Sequence, residues 1–235
     1  MRTFALAAVA VCFALTAAPA LAGGNHSSKR VALATSSKPV VEKPQRDRSI
    51  GAPSAGHLQG TARLPSGSGY HIRRPWRTYG TRTTIHLVRQ AIADTRVAYP
   101  KVHVLAIGDL SQEHGGSISQ HASHQSGRDA DIGLFYKQRP AGYPDNFVRA
   151  TKANLDAAAT WKLLYSFAHT EDEDGGAQYI FLDRELQHVL YAWARAHRVS
   201  ARRIHEVERV LRHWPNHHDH MHVRFKCRER DTGCR

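Results

Sequence analysis

The chain has 235 residues, and 33 Lys and Arg stand against 20 Asp and Glu for a formal net charge of +13. Such a length holds one domain with a sizeable core and a tail, but is short for two. Only three cysteines are present, which excludes a zinc site built from cysteine alone, while the basic balance points to an anionic partner or to a solvated basic surface.

In chain order, Arg2 supplies a positive start, Ala5 to Ala18 is an apolar run broken by Thr16, and Ala20-Leu21-Ala22 offers small residues for cleavage. The run is too short to span a bilayer, so residues 1–22 read as a secretory signal peptide and no transmembrane segment is expected. The expected location is the periplasm. Cys12 leaves with the signal, so Cys227 and Cys234 remain as an even pair, close in sequence. In an exported chain such a pair reads as a disulfide, against the alternative of two free thiols. Residues 23–54 are rich in Gly, Ser, Lys, Pro and Arg without helical or strand period, and read as a disordered basic linker. It is either a passive spacer or an electrostatic tether to an anionic envelope surface. The folded domain is expected over 55–235.

Within it, Gly56 to Pro65 reads as loop and short strand, Ser66 to Gly69 as a turn, and Tyr70 to Trp76 as extended or irregular. Thr83 or Thr84 is the expected cap of a helix whose Ile85, Val88 and Ile92 share a face. Val102 to Leu110 reads as a strand, with His103 a strand residue and not a ligand. Asp129 to Tyr136 alternates as another strand, in which Gly133 marks a bulge or a close backbone approach. A helix is expected from Phe147 to about His169, and a strand over 178–182. Asp183 is expected to cap a helix over 184–197, and Ser200 the next, ended by Trp214-Pro215-Asn216. The sum is an α+β fold, with helices packed around a small, mostly antiparallel sheet.

Two clusters carry the chemistry. The first runs from His121 to Asp131, with two histidines and two aspartates. The second is His217-His218-Asp219-His220-Met221-His222-Val223-Arg224-Phe225. Strand alternation puts His220 and His222 on one face, roughly 6.5–7 Å apart along the strand, and Met221 in the core. One histidine then binds metal while the other faces water or substrate. Gly127 lets the chain turn between His124 and Asp131 so that both reach one ion. Seventeen histidines make chance pairs common, and an isolated His-x-His is weak. His124, Asp131 and a His-rich strand together are stronger, because these histidines lie beside apolar strands.

The stretch from Ile107-Gly108-Asp109-Leu110-Ser111 through His121-Ala122-Ser123-His124 and Gly127-Arg128-Asp129-Ala130-Asp131-Ile132, with His217 and His220-Met221-His222-Val223-Arg224, resembles the penicillin-insensitive murein endopeptidases. These belong to the wider group of lysostaphin-type and D-Ala-D-Ala zinc peptidases, which share a His-x6-Asp pair and a His-x-His pair. The resemblance runs from about Leu58 to Cys234, and the Cys227/Cys234 pair is similar to a disulfide of the family. It implies zinc ligands His124, Asp131 and His222, with His220 beside the attacking water. It also implies His217 as a further active-site histidine and His121 as a ligand of a second metal or of substrate. His218, next to His217, leaves the choice between those two open. Asp129 is expected to orient a ligand histidine or to stand as a solvated carboxylate. Asp109 and Arg128 receive no role beyond loop structure or substrate contact.

The implied activity is zinc-dependent cleavage of peptide cross-links in peptidoglycan, at the D-alanyl–diaminopimelate bond. The alternatives are a D,D- or L,D-carboxypeptidase trimming stem peptides, and a non-catalytic basic wall-binding or zinc-binding module. Nucleic-acid binding explains the charge but neither the signal peptide nor the His/Asp spacing, and no nucleic-acid partner is expected.

Overall fold

The computed structural model describes residues 46–235, so the expected signal peptide and most of the linker lie outside the described residues. The strands are β1 (Arg48–Ala52), β2 (Ala55–Gln59), β3 (Ala62–Arg63), β4 (Tyr70–Ile72), β5 (Tyr79–Gly80), β6 (Leu105–Ile107), β7 (Asp129–Gly133), β8 (Ala177–Leu182), β9 (Leu211–His213) and β10 (His220–Phe225). The helices are α1 (Arg82–Ala98), α2 (Ala157–Ala168), α3 (Arg184–Ala196) and α4 (Ala201–Val210).

Six strands form the main sheet in the order β4-β6-β7-β10-β8-β9. Its centre is antiparallel, and the outer pairs β4/β6 and β8/β9 are parallel. The expected α+β class holds. Ala130, Ile132, Met221, Val223 and Phe225 are fully or almost fully buried in one core with Leu163, Leu164 and Phe167 of α2 and Val88 and Ile92 of α1. Strand alternation sends Asp129, Asp131, His220, His222 and Arg224 to the opposite face. Burial of the apolar set therefore fixes the polar set, since a slip of one residue would exchange the faces.

Several boundaries differ from expectation. The folded domain starts before Ala55: β1, in the expected linker, pairs with β2 from Arg48↔Gln59 to Ala52↔Ala55. Its support is non-local. Gly51 exchanges backbone hydrogen bonds with Gly233 and Arg235, and Arg128 donates to Ser49, Phe225 and Arg235. The expected disulfide joins Cys227 and Cys234. Arg228 inside that loop pairs with Asp47 at 2.7 Å, and the same carboxylate accepts the first backbone N–H of α1. Arg128 is thus a buried clasp residue.

The cap of α1 is Thr81, whose hydroxyl accepts the Thr84 N–H. The strand expected over 102–110 is confined to Leu105–Ile107. The helix expected from Phe147 starts at Ala157, because Asp156 caps it by accepting from Ala159 N–H. Residues ahead of it bond elsewhere: Ala150 N–H to the His218 carbonyl, and Thr151 N–H to Asn154. Asp183 caps α3 as expected, by accepting from Glu185 N–H. At Gly133 a Cβ would stand 2.5 Å from the Tyr143 hydroxyl, so the close approach is the correct alternative there.

Candidate metal centre

β7 and β10 set the geometry. In their register Asp131 stands opposite His222, and Asp129 opposite Arg224. Such cross-strand pairs hold their side chains within direct reach. His124 arrives from the preceding loop, where Gly127 adopts the left-handed conformation at φ 69° and turns the chain as expected. His124 itself is left-handed at φ 66°. That conformation is unfavourable for a residue with a Cβ, costing of order 1–3 kcal/mol. It is held by the Asp129 carboxylate, which accepts the His124 N–H at 2.9 Å.

The side chain of His124 is fully buried, and its Nδ1 donates to the Leu110 carbonyl at 2.8 Å. That bond leaves the Nε2 lone pair aimed at Asp131 Oδ1, 3.2 Å away. His222 Nδ1 reaches the same oxygen at 3.2 Å. Two ligands of a tetrahedral zinc with bonds of about 2.0–2.1 Å stand about 3.3–3.4 Å apart, so both distances fit the edge of such a tetrahedron. Asp131 Oδ1 and His124 Nε2 are buried without a hydrogen-bond partner among the described residues. Buried acceptors facing one another are costly unless a cation joins them. The donor set fits a metal ion. His121, His124 and Asp131 also offer ligand atoms within 4.8 Å of one another. His121 is held at its other nitrogen: Nε2 lies 3.0 Å from Asp109, and Nδ1 faces Asp131 Oδ2 at 3.8 Å.

His222 sits between two carboxylates, with Nε2 3.2 Å from Asp129. Burial pushes its pKa down, but Asp129 and Asp131 outweigh this and raise it to about 9. Burial alone would raise both aspartates as well. The charge of His222 holds Asp129 well below the usual carboxylate range, and the neighbouring His124, His220 and His222 rings do the same for Asp131. Arg224 adds two bonds to Asp129, at 2.8 and 3.3 Å. Asp129 thus orients His124 and His222 and is buried; the alternative of a solvated carboxylate is corrected.

The expected water-side histidines flank this cluster. His220 Nε2 is 3.8 Å from Asp131 Oδ1, and its Nδ1 meets Asp219 at 2.6 Å. Its ring stacks on Phe147 at 4.8 Å and 10°, and the Arg73 guanidinium lies over the Phe147 ring at 4.1 Å. The His217 ring is 4.7 Å from that of His220, and its Nδ1 donates to the Pro215 carbonyl. Burial, then the neighbouring His220, lowers His217 to about 4. His217, and not its neighbour His218, lines the cleft beside His222; this cleft of about 360 Å³ also includes His121, Ser123, Phe181, Trp214 and Arg224.

The structure places the six residues named from the sequence, His121, His124, Asp131, His217, His220 and His222, around one cluster, and it adds supports that the sequence reading lacks. Asp219 was visible as the residue before His220. Asp109 binds Arg74, Arg77 and His121 through one oxygen, partners that no local pattern around Ile107–Ser111 announces. Phe147 lies ahead of the helix expected to include it, which begins only at Ala157.

The chain matches the family described as penicillin-insensitive murein endopeptidase over residues 49–235. It is 30% identical over 207 residues to a protein of that name from Yersinia pestis, covering 83% of this chain and 71% of the relative. A Pectobacterium atrosepticum protein of the same name is 28% identical over 207 residues, covering 83% and 69%. One from Klebsiella pneumoniae is 28% identical over 201 residues, covering 80% and 69%.

Proposed function

The chain belongs to the penicillin-insensitive murein endopeptidase family, and from that premise we propose that it is an exported, zinc-dependent endopeptidase cutting D-alanyl–diaminopimelate cross-links in peptidoglycan. The observation that carries the metal reading is the meeting of His124 Nε2 and His222 Nδ1 on Asp131 Oδ1, each at 3.2 Å. The signal-like residues 1–22 and the Cys227–Cys234 disulfide support export to an oxidising compartment.

His124, Asp131 and His222 would hold the ion, and His121 stands ready as a further ligand or a substrate contact. When bound, zinc supplies a Lewis acid that polarises the scissile carbonyl and activates water near neutral pH. The protein residues handle the protons. Asp219 accepts from His220 Nδ1, so His220 Nε2 is free to take a proton from the attacking water. The same proton then passes to the leaving amine as the C–N bond breaks. His217, uncharged at neutral pH, presents its own Nε2 beside His220 and acts as an acceptor or relay; as a donor to the amine it must first receive a proton. No serine nucleophile takes part, in keeping with insensitivity to β-lactams.

The test incubates the purified protein with cross-linked muropeptide dimers, with zinc, with chelator, and as His222→Ala. The expected result is zinc-dependent conversion of dimers to monomers, abolished by chelator and by the substitution. Intact dimers with shortened monomer stems would instead make it a carboxypeptidase. Stoichiometric zinc without any cleavage would leave a binding module.

A further inference from the structure

Resting on the endopeptidase reading, we propose that Arg224 determines specificity by binding the substrate carboxylate on the carbon that carries the scissile nitrogen. His220, His222 and Arg224 alternate on one face of β10, so Arg224 is rooted about 6.5–7 Å along the strand from His222. Its Nε and Nη2 bind Asp129. Its Nη1 has no hydrogen-bond partner among the described residues. The side chain is 21% exposed and lines the cleft that runs past His222.

Three features make this edge a receptor and not only a strut for Asp129. Arg224 is the single Arg or Lys among the residues lining the cleft, and no Asp or Glu lines it. Its guanidinium lies 5.5 Å from the Phe181 ring, and Trp214 meets that ring edge-on at 5.6 Å. Phe181 thus sets apolar surface beside the guanidinium, where a charge-assisted bond is stronger than in open water. A guanidinium has five donors, so the two spent on Asp129 leave others for a ligand.

The substrate chemistry matches. In a D-alanyl–diaminopimelate cross-link the scissile nitrogen sits on a carbon that also bears a free carboxylate. With the scissile carbonyl over the metal cluster, that carboxylate falls on one side of it along β10, the side of Arg224 or the side of His220. Asp219, beside His220, repels it, and Arg73 on that side is engaged with the Phe147 face and the Asp145 carbonyl. Arg224 attracts it.

The test uses two cross-linked dimers, one with this carboxylate free and one with it amidated, and the metal-loaded wild type, Arg224→Gln and Arg224→Lys. Values of kcat/KM and metal content are measured for each. The wild type is expected to prefer the free carboxylate by about 10- to 100-fold, the range of a charge-assisted hydrogen bond. In Arg224→Gln the preference should collapse toward one, and Arg224→Lys should recover part of it. Equal cleavage of the two dimers by the wild type overturns the proposal and leaves the endopeptidase reading standing. A preference that survives in Arg224→Gln also overturns it, as does an equal loss on both dimers, which would mark Arg224 as a support for Asp129 alone. Cleavage of neither dimer by the wild type overturns the endopeptidase reading and this proposal with it.

Discussion

Asp131 and His222 are cross-strand partners whose Oδ1 and Nδ1 lie 3.2 Å apart, and without a metal it is a proton on His222 that reconciles the ring with its two carboxylates. That proton has to leave when an ion binds, because the ligating nitrogen must be unprotonated. Since His222 is raised to about 9, apparent zinc affinity should rise about tenfold per pH unit on its account until about pH 9. Competition titrations at pH 6, 7 and 8 measure this, and each should also show proton release. The sign for stability is opposite. In the metal-free protein the raised His222 stabilises the fold fully below about 6.5, its ordinary value, and this contribution is lost as pH rises through about 9. The chelated protein should therefore melt at a lower temperature at pH 9 than at pH 7 on this group's account. A metal-loaded sample should lack that loss.

Asp129 ties together the backbone of His124, the ring of His222 and the guanidinium of Arg224. Asp129→Asn keeps the shape but removes the charge. Groups that orient ligand histidines typically change metal affinity 10- to 100-fold, and a loss of that size is expected here. The zinc dissociation constant of the variant checks it, with circular dichroism to confirm that the fold is retained. An unchanged affinity would reduce Asp129 to a partner of Arg224.

What was legible in the sequence follows the range of the interactions. The faces of His220, Met221 and His222 were readable, because strand alternation is local. The turn at Gly127 was readable for the same reason, and it brought His124 to Asp131. The register that sets Asp131 against His222 and Asp129 against Arg224 was not, since it depends on two strands about ninety residues apart. The segment Arg48–Ala52 looked like linker because its small and polar residues carry no period. Its partners are the β2 strand, the buried Arg128 and the last residues of the chain. Phe147 could be read as helical only while Asp156 was overlooked as the real cap.

The disulfide loop supports the site at a distance. Cys227–Cys234 closes a short loop whose Arg228 binds Asp47 and whose end pairs with Gly51 of β1. The turn after β1 reaches the cleft: Pro53 accepts the Gln125 N–H, and Ser54 lines it. The loop-closure relation for so short a loop gives about 2–3 kcal/mol. The double variant Cys227→Ser/Cys234→Ser should melt about 5–10 °C lower than the wild type, for a domain of this size. Hydrogen exchange should locate the gain in mobility in β1 and β2. Loss of protection in α2 instead would mean that the clasp supports the core as a whole.

Asp219 is the cleanest place to separate proton transfer from metal binding. Burial pushes its carboxyl up, but its hydrogen bond to His220 holds it below the usual range, so it is ionised at neutral pH. It accepts from His220 Nδ1 and presents Nε2 to the site, while Phe147 fixes the plane of the ring by stacking. Asp219→Asn removes the charge and allows the ring to settle in the other tautomer. General acid–base assistance is worth about 10²–10⁴-fold, and kcat should fall within that range while KM and zinc content stay near wild type. Phe147→Leu keeps an apolar neighbour without a stacking face and should lower kcat less, by about tenfold or below. If Asp219→Asn lost zinc in proportion to activity, the residue would belong to the support of the metal cluster, and the proton route would have to run through His217, whose Nδ1 is already committed to the Pro215 carbonyl.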